Sequence, residues 1–334
     1  MRLRARAAWL FGLAPALGLL AAGCAEDAPS IFRAESEQAQ DIRTLALIMF
    51  AILAGVLLVV WVWLALAIVK FRRPRPDDEI KQSHGDARVE AVWVAIPAVI
   101  VAVLFLLTLQ TTGLLLGGPA ADLELRVTGY RWWWEIEYVE GGFVTANEFH
   151  VPVDHPVTAE LTSEDVIHSF WVPQMGGKLD MIPGRVNRTY FVPVTVGRYI
   201  GECSEFCGHQ HGNMRFLLFV DTPEDFADWS DRQAQPAREP AGELAVAGAE
   251  YIAASPCAGC HAIRGTALQG RVGPDLTHFG SRESIAALTL VNTPENLRAW
   301  LRDPQAVKPE NLMPTVPLTE PQLDQLVAYL GGLK

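Results

Sequence analysis

Two long apolar runs dominate the first third of the chain. Residues 45–69 and 91–116 contain no charged side chain. Each run exceeds the roughly 20 helical residues that cross a hydrocarbon core about 30 Å thick. A buried helix of a soluble protein rarely stays apolar on every face for so long. The pattern therefore predicts two transmembrane helices, at residues 44–69 and 89–117.

Charges around these runs indicate how the chain is oriented. The loop 70–88 is rich in lysine and arginine, which predicts that it lies on the cytoplasmic side. Residues 1–23 are typical of an export signal, with a basic start, an apolar run and small residues before Cys24. This site resembles that of bacterial lipoproteins, in which the cysteine is lipidated; the alternative is an uncut or conventionally cut signal with Cys24 as a stray thiol. Residues 24–43 and everything after residue 117 are then expected outside the bacterial inner membrane.

After residue 120 the pattern changes to short strands separated by prolines. Residues 123–127 alternate with period two, and residues 189–196 and 215–220 are rich in β-branched and aromatic side chains. Residues 120–228 are therefore predicted to form a small antiparallel sandwich or barrel. The polar residues 229–242 lack apolar periodicity and are expected to form a linker.

Residues 243–334 predict a separate helical domain. A helix opens at Thr293 and Pro294 with a cap and an early proline. Another covers residues 319–330, with Leu323, Leu326 and Leu330 on one face. A tail of about 90 residues with short helices has little core of its own. An internal staple, such as a covalently bound cofactor, is therefore expected.

Composition narrows the functional classes. The 334 residues carry a net charge of −11, with 27 basic and 38 acidic side chains. Nucleic acid is excluded as a partner, because binding phosphates requires a basic face. A basic protein that docks on the acidic middle of the chain is the natural electrostatic counterpart.

The first cysteine pair has the pattern of a metal site. Cys203 and Cys207 are followed by His211 and Met214, between two predicted strands. A disulfide that closes so small a loop would constrain little of the unfolded chain. Thiolate, thioether and imidazole groups together select copper over hard cations, and a thioether is a poor ligand for zinc. His168 lies on an upstream loop and can complete the site.

This constellation, with its flanking strands and the two-helix hairpin, resembles subunit II of the haem–copper cytochrome oxidases. The resemblance implies a cupredoxin-like Greek-key barrel that holds a binuclear copper centre, CuA, suited to fast electron transfer. It also implies that the Glu205 carboxylate serves a magnesium site shared with subunit I. The implied copper ligands are His168, Cys203, the backbone carbonyl of Glu205, Cys207, His211 and Met214.

The same resemblance gives roles to four other residues. Trp132, the first of three consecutive tryptophans, would receive the incoming electron; on its own, this aromatic run also fits a membrane-interface belt. Glu164 and Asp165 match acidic positions that dock cytochrome c. Glu90 matches a glutamate at the mouth of a proton path into subunit I, although an interfacial charge flanking a membrane span is an equal explanation.

The second cysteine pair has the attachment pattern of haem c. In the segment Cys257-Ala258-Gly259-Cys260-His261, the cysteines would form two thioether tethers and the histidine would be the proximal iron ligand. Zinc would require a second pair of ligands, and the tail contains no other cysteine.

For the sixth iron ligand the tail offers Met313, which is favoured, and His278 as the alternative. Met313 lies ahead of the last predicted helix, as the corresponding methionine does in class I cytochromes c. The segment 273–276 also resembles those proteins, in which a proline carbonyl, here that of Pro274, orients the proximal histidine.

Together these features predict a multidomain chain: a two-helix transmembrane hairpin, an all-β cupredoxin-like domain and an all-α class I cytochrome c domain. The predicted function is that of subunit II of a respiratory cytochrome c oxidase, an enzyme that reduces oxygen and translocates protons. Electrons would enter at the fused haem c and pass through CuA to subunit I. Subunit III, cytochrome c or another upstream donor, and membrane lipid are the other expected partners. Two alternatives are a quinol-oxidase subunit II, which lacks the copper ligands, and a membrane-tethered copper chaperone, which has no reason to carry haem.

Overall fold

The computed structural model describes residues 28–72, 85–116, 118 and 120–334. The predicted export signal, Cys24 and most of the predicted cytoplasmic loop lie outside these residues. The described part contains two long helices, a β domain of two five-stranded sheets and a helical C-terminal domain. This architecture confirms the predicted fold class.

The two long helices are apolar along most of their length. Helix α1 spans Glu37–Phe71 and α2 spans Ala87–Leu116, and both are long and apolar enough to cross a membrane. Helix α1 begins before residue 44, where the apolar pattern placed its start, because Ser36 caps it. The Ser36 hydroxyl accepts a hydrogen bond from the backbone N–H of Ala39 (3.0 Å) and donates one to the carbonyl of Met175 (2.7 Å) in the β domain. The start of α1 is thus anchored to the β domain.

The β domain contains ten strands in two sheets, ordered β3-β2-β1-β5-β8 and β4-β10-β9-β6-β7. Their bounds are β1 Leu123–Tyr130, β2 Trp133–Tyr138, β3 Phe143–Ala146, β4 Glu148–Pro152, β5 Val157–Ser163, β6 His168–Trp171, β7 Leu179–Met181, β8 Asn187–Phe191, β9 Gly197–Cys203 and β10 Arg215–Asp221. The pairs β1/β5 and β4/β10 are parallel, so the antiparallel prediction is wrong for these two pairs. Parallel partners are joined by long crossovers, which a local alternation pattern does not reveal.

Alternation along the strands builds the core between the sheets. Trp134 is fully buried, and its ring meets the rings of Phe170 and Phe216 edge-on at centroid distances of 6.1 and 5.1 Å. Strand β8 ends at Phe191, earlier than the pattern at 189–196 indicated, because Pro193 has no backbone N–H to donate to a neighbouring strand.

Helix α3, Pro223–Ala234, leads out of the β domain and extends into the predicted linker. Thr222 caps it, and Phe226 and Trp229 pack against the β core, so its few apolar residues are enough to hold it. The C-terminal domain follows with α4 Glu243–Ala254, α5 Pro294–Arg302, α6 Pro304–Val307, α7 Glu320–Gly332 and a hairpin of β11 Ser284–Ile285 and β12 Leu290–Val291. Helices α5 and α7 confirm the two helices that the sequence predicted in the tail.

Candidate metal and haem sites

The first cysteine pair lies on the loop between β9 and β10. Cys203 is the last residue of β9, and Met214 directly precedes β10. The Cys203 N–H donates to the Met214 carbonyl (3.0 Å), so the antiparallel strands hold both ends of the loop together. His168 opens β6, which pairs with β9. The loop and the neighbouring strand thereby bring these side chains together.

Cys203 and Cys207 are buried free thiols whose sulfur atoms lie 3.7 Å apart, well beyond the bond length of about 2.05 Å in a disulfide. The hydrogen bond from the Cys207 thiol, assisted by His168, lowers the pKa of Cys203 to about 3. The interaction with Cys203 and burial raise the pKa of Cys207. Metal binding requires the deprotonated form of both sulfurs, so a bound cation would displace any remaining thiol proton.

Four further ligand-type atoms surround the two sulfurs at 3.2–3.8 Å. Near the Cys203 sulfur lie His168 Nδ1 (3.8 Å) and the Glu205 carbonyl oxygen (3.2 Å), and near the Cys207 sulfur lie His211 Nδ1 (3.6 Å) and Met214 Sδ (3.8 Å). Thiolates, imidazoles and a thioether form a soft donor set that fits copper better than zinc or a hard cation. His168, Cys203 and Cys207 are also the group whose ligand atoms converge within 4.8 Å.

Asp165 fixes the orientation of His168. Its carboxylate accepts a hydrogen bond from His168 Nε2 (2.8 Å) and another from the N–H of Arg131 (2.7 Å). This contact assigns the proton to Nε2 and leaves Nδ1 free to bind a metal. Burial lowers the pKa of His168, but the bonds to Asp165 and Cys203 outweigh it and raise the pKa above its ordinary value. The Asp165 side chain thus faces this site, whereas Glu164, its partner in the predicted docking role, is exposed.

Trp132 lies directly behind the cysteine loop. Its indole N–H donates to the Cys207 carbonyl (3.0 Å), and the side chain is only 6% exposed. Gly208 permits this approach, because a Cβ there would lie 3.0 Å from the indole ring and its φ of +115° disfavours other residues. The indole is thereby fixed against the backbone of the copper-type loop.

A largely apolar cavity in the C-terminal domain contains the second cysteine pair. Its wall includes Cys257, Cys260, His261, Met313, Leu297, Leu301 and Phe279 from the C-terminal domain, and Trp132 and Trp133 from the β domain. Two thiols, an imidazole and a thioether around an apolar cavity form the donor set that a covalently attached haem requires. The cavity therefore fits haem c.

His261 is oriented through its far nitrogen in the same way as His168. Its Nδ1 lies 2.8 Å from the Pro274 carbonyl, which assigns the proton to Nδ1 and leaves Nε2 free for iron. Burial lowers the pKa of His261, although the bond to Pro274 opposes that shift. His278 is directed elsewhere, with its Nε2 3.1 Å from the carbonyl of Gln235, and does not line the cavity among the described residues.

Each of the two imidazoles also packs on a glycine, a feature that the sequence analysis missed. A Cβ at Gly129 would lie 2.9 Å from Cδ2 of His168, and a Cβ at Gly273 would lie 2.6 Å from Cε1 of His261. Asp165 lies three residues before His168, and this short spacing could have indicated that its carboxylate orients the imidazole. Gly129 lies on a different strand, so no local pattern relates it to His168.

Two predicted roles concern carboxylate side chains that are not part of the two donor sets. The Glu205 side chain is half-buried on the cysteine loop, and Glu90 is exposed in the first turn of α2. Their predicted magnesium and proton roles stay predictions.

Comparisons with known proteins match three regions of this chain. Family models match the transmembrane domain of cytochrome c oxidase subunit II at residues 29–111, its periplasmic domain at 143–220 and cytochrome c at 245–334. The chain is 35% identical over 328 residues to cytochrome c oxidase subunit 2 of Alkalihalophilus pseudofirmus, covering 95% of each chain. It is 33% identical over 342 residues to that of Bacillus subtilis, again covering 95% of each.

Among solved structures, the periplasmic domain of subunit II of cytochrome oxidase from Bradyrhizobium japonicum is 35% identical, with a TM-score of 0.34. The match covers 34% of this chain and 95% of that one. The two relatives match over 95% of their length, so the similarity extends over the hairpin, the β domain and the helical tail of this chain. The chain belongs to the cytochrome c oxidase subunit II family, as a membrane-anchored member with a C-terminal cytochrome c domain.

Proposed function

We propose that this chain is the electron-entry subunit of a haem–copper oxidase complex. It receives electrons at its cytochrome c domain and delivers them through its β domain to the oxygen-reducing site of subunit I. Haem c would be held by Cys257, Cys260, His261 and Met313. A binuclear CuA centre would be held by His168, Cys203, the Glu205 carbonyl, Cys207, His211 and Met214. When bound, these groups supply reversible one-electron acceptance.

One observation carries the proposal: Trp132 belongs to both sites. Its indole N–H donates to the Cys207 carbonyl in the cysteine loop (3.0 Å), and Trp132 is also one of the residues that line the cavity around Cys257, Cys260 and His261. With 6% of its surface exposed, Trp132 is closed to a separate docking protein. Electron entry at this residue therefore comes from the chain's own cytochrome c domain.

The protein's contribution at each site is to hold the ligand side chains in a fixed orientation. Asp165 and the Pro274 carbonyl set the tautomers of the two histidines, and paired strands hold both ends of the cysteine loop. Ligands that need not move when the charge changes keep the reorganisation small, which favours fast electron transfer.

The remaining roles follow from the same assignment. The hairpin α1–α2 would pack against subunit I and lipid in a bacterial inner membrane, with both termini outside and a lipid anchor on Cys24. Subunit III would complete the complex, and cytochrome c or another donor would reduce the fused domain, with Glu164 available on the outer surface. Glu205 would contribute to a magnesium site at the subunit I interface, and Glu90 to the entrance of a proton path.

The test is electron transfer within the oxidase complex purified with full-length chain. We expect a copper to haem-iron ratio near two in the isolated chain, and haem that stays attached in denaturing solvent. Trp132→Phe should slow transfer from haem c to copper by about tenfold or more while leaving both absorption spectra unchanged. Trp229→Phe is the matched control, because Trp229 stacks on His150 at 4.2 Å, away from the wall of the haem cavity.

Other outcomes would replace the proposal. One copper per chain without haem would favour a membrane-tethered copper chaperone. Haem without copper would favour a quinol-type subunit. Equal transfer rates in Trp132→Phe and Trp229→Phe would remove Trp132 from the path.

A further inference from the structure

Two buried charged side chains cross the boundary between the copper domain, residues 120–221, and the cytochrome c domain, residues 243–334. Lys308 extends from the cytochrome c domain and is 2% exposed, and Glu148 belongs to β4 of the copper domain and is 5% exposed. Charged residues are rarely buried to this extent unless they are paired with specific partners. Most of their partners lie in the opposite domain: two of the three carbonyls that accept from Lys308, and all three groups that donate to Glu148.

Lys308 joins three separate segments through a single nitrogen atom. Its Nζ donates to the carbonyls of Trp132 (2.9 Å), Asn213 (2.7 Å) and Ala286 (3.0 Å). Three acceptors match the three N–H donors of an ammonium group. Burial lowers the pKa of Lys308, and the charge of Cys207 opposes that shift. Trp132 belongs to the proposed electron path, and Asn213 directly precedes the proposed copper ligand Met214. The Lys308 side chain therefore contacts both the electron path and the copper-ligand loop.

Glu148 makes the reciprocal contact. Its carboxylate accepts from the backbone N–H groups of Glu283 (2.9 Å) and Ser284 (2.8 Å) and from the Ser284 hydroxyl. These donors open β11, the strand that leads to Ala286. Charge-assisted bonds of this kind are roughly twice as strong as neutral ones. The two buried charges therefore fasten both sides of one short segment of the cytochrome c domain.

The turn after β11 depends on the same interface. Ala286, Ala287 and Leu288 have φ values of 56°, 59° and 63°, a left-handed conformation that is unfavourable for residues with a Cβ. The Ala286 carbonyl accepts from Lys308, and the Leu288 carbonyl accepts from the Arg215 guanidinium of β10 (3.2 Å). An unfavourable backbone persists where its surroundings hold it, and here the holding groups are the Lys308 amine and the Arg215 guanidinium.

We propose that Lys308 and Glu148 are positioning residues that keep the cytochrome c domain docked on the copper domain, with the haem cavity against Trp132. Electron transfer then occurs between two domains in a fixed arrangement. The cytochrome c domain does not have to diffuse back to the copper domain before each transfer. The exposed pairs Arg198–Glu283 and His209–Glu310 at the same boundary contribute little, because water screens them. The inference deepens the proposed function and rests on it.

The experiment uses the full-length chain in the purified oxidase complex and compares Lys308→Met with Glu148→Gln. In Lys308→Met, the carbonyls of Trp132, Asn213 and Ala286 lose their donor. In Glu148→Gln, the amide N–H group can face the backbone N–H groups that the carboxylate accepted from. The matched control is Lys178→Met, because Lys178 is an exposed lysine of the copper domain, half of whose side-chain surface is accessible. Intact copper and haem spectra establish that each variant is folded.

The first readout is hydrogen exchange of the backbone amides of Glu283 and Ser284, which does not depend on the cofactors. These amides bond to Glu148 and not to Lys308, so faster exchange in Lys308→Met reports separation of the domains. Truncating one partner of a buried charged contact predicts exchange about 30-fold faster or more. Lys308→Arg, which keeps the charge, should restore part of the protection, and Lys178→Met should match the wild type.

The second readout is the rate of electron transfer from haem c to copper after rapid reduction of the haem. Both variants should slow it by about tenfold or more, and Lys178→Met should not. Unchanged exchange at Glu283 and Ser284 in Lys308→Met would overturn the positioning role. If exchange responds as expected but the wild-type chain shows no transfer between haem and copper, the docking stands and the proposed function fails.

Discussion

Replacing Gly129 by alanine should disturb the copper site through a single methyl group. Gly129 lies in β1, and a Cβ there would come within 2.9 Å of Cδ2 and 3.2 Å of Cγ of His168. Ordinary contact begins near 3.4 Å, so the imidazole must move by about 0.5 Å or the strands must separate. His168 is fully buried and bonded to Asp165 at 2.8 Å, which leaves little room for it to move. The expected loss in unfolding free energy is about 1–3 kcal/mol.

The assay combines thermal unfolding of the metal-free chain with the paramagnetic resonance spectrum of the copper-loaded chain. Gly129→Ala should lower the melting temperature and change the hyperfine pattern, because the direction of His168 Nδ1 toward the Cys203 sulfur changes. Gly212→Ala is the matched control, since Gly212 lies on the ligand loop between His211 and Met214 and a Cβ there meets nothing within 4 Å. If both variants leave the spectrum and the stability alike, the reasoning from packing is refuted.

Three further predictions concern the other contacts of the two sites. Gly273→Ala, whose Cβ would lie 2.6 Å from the proximal imidazole, should alter the haem ligation spectrum, whereas Gly259→Ala, with nothing within 4 Å, should not. Asp165→Asn should weaken copper binding by about 10- to 100-fold in a competition titration, and wild-type affinity would show that its bond to the imidazole is dispensable. Met313→Ala should convert the haem to a high-spin or water-ligated spectrum with copper unchanged, and an unchanged haem spectrum would transfer the sixth position to His278.

Local sequence patterns predicted the elements that depend on neighbouring residues. Apolar length predicted the two long helices, period-two alternation predicted β1, and a run of apolar and aromatic residues predicted β10, because each of these patterns is a property of neighbouring residues. The start of α1 at Glu37 was missed because its first turn is polar and held by Ser36 and the β domain, a contact between residues far apart in the chain. Helix α3 was missed for a related reason, since it is held by the packing of Phe226 and Trp229 on the β core and by bonds from Arg264 to its last turn.

The donor residues were predictable for a different reason. Ligands on one loop must follow one another at short intervals, so the spacing of Cys203, Cys207 and His211 already limits the chemistry. Residues that act on the ligands need not lie near them in the sequence. Gly129 contacts His168 from another strand, and Lys308 bonds to Trp132 across the domain boundary. No local spacing in the sequence predicts either contact.

The copper-type and haem-type sites hold their histidine and cysteine ligands in place with the same three structural features. A histidine is held by an acceptor at its far nitrogen, Asp165 for His168 and the Pro274 carbonyl for His261. The ring also lies against a glycine, and a neighbouring strand or turn fixes the cysteine that completes the site. An arrangement already in place in the metal-free chain needs little movement when an electron arrives or leaves. The distance between the sites must be equally constant for this to matter, and the buried contacts of Lys308 and Glu148 with the opposite domain provide that constancy.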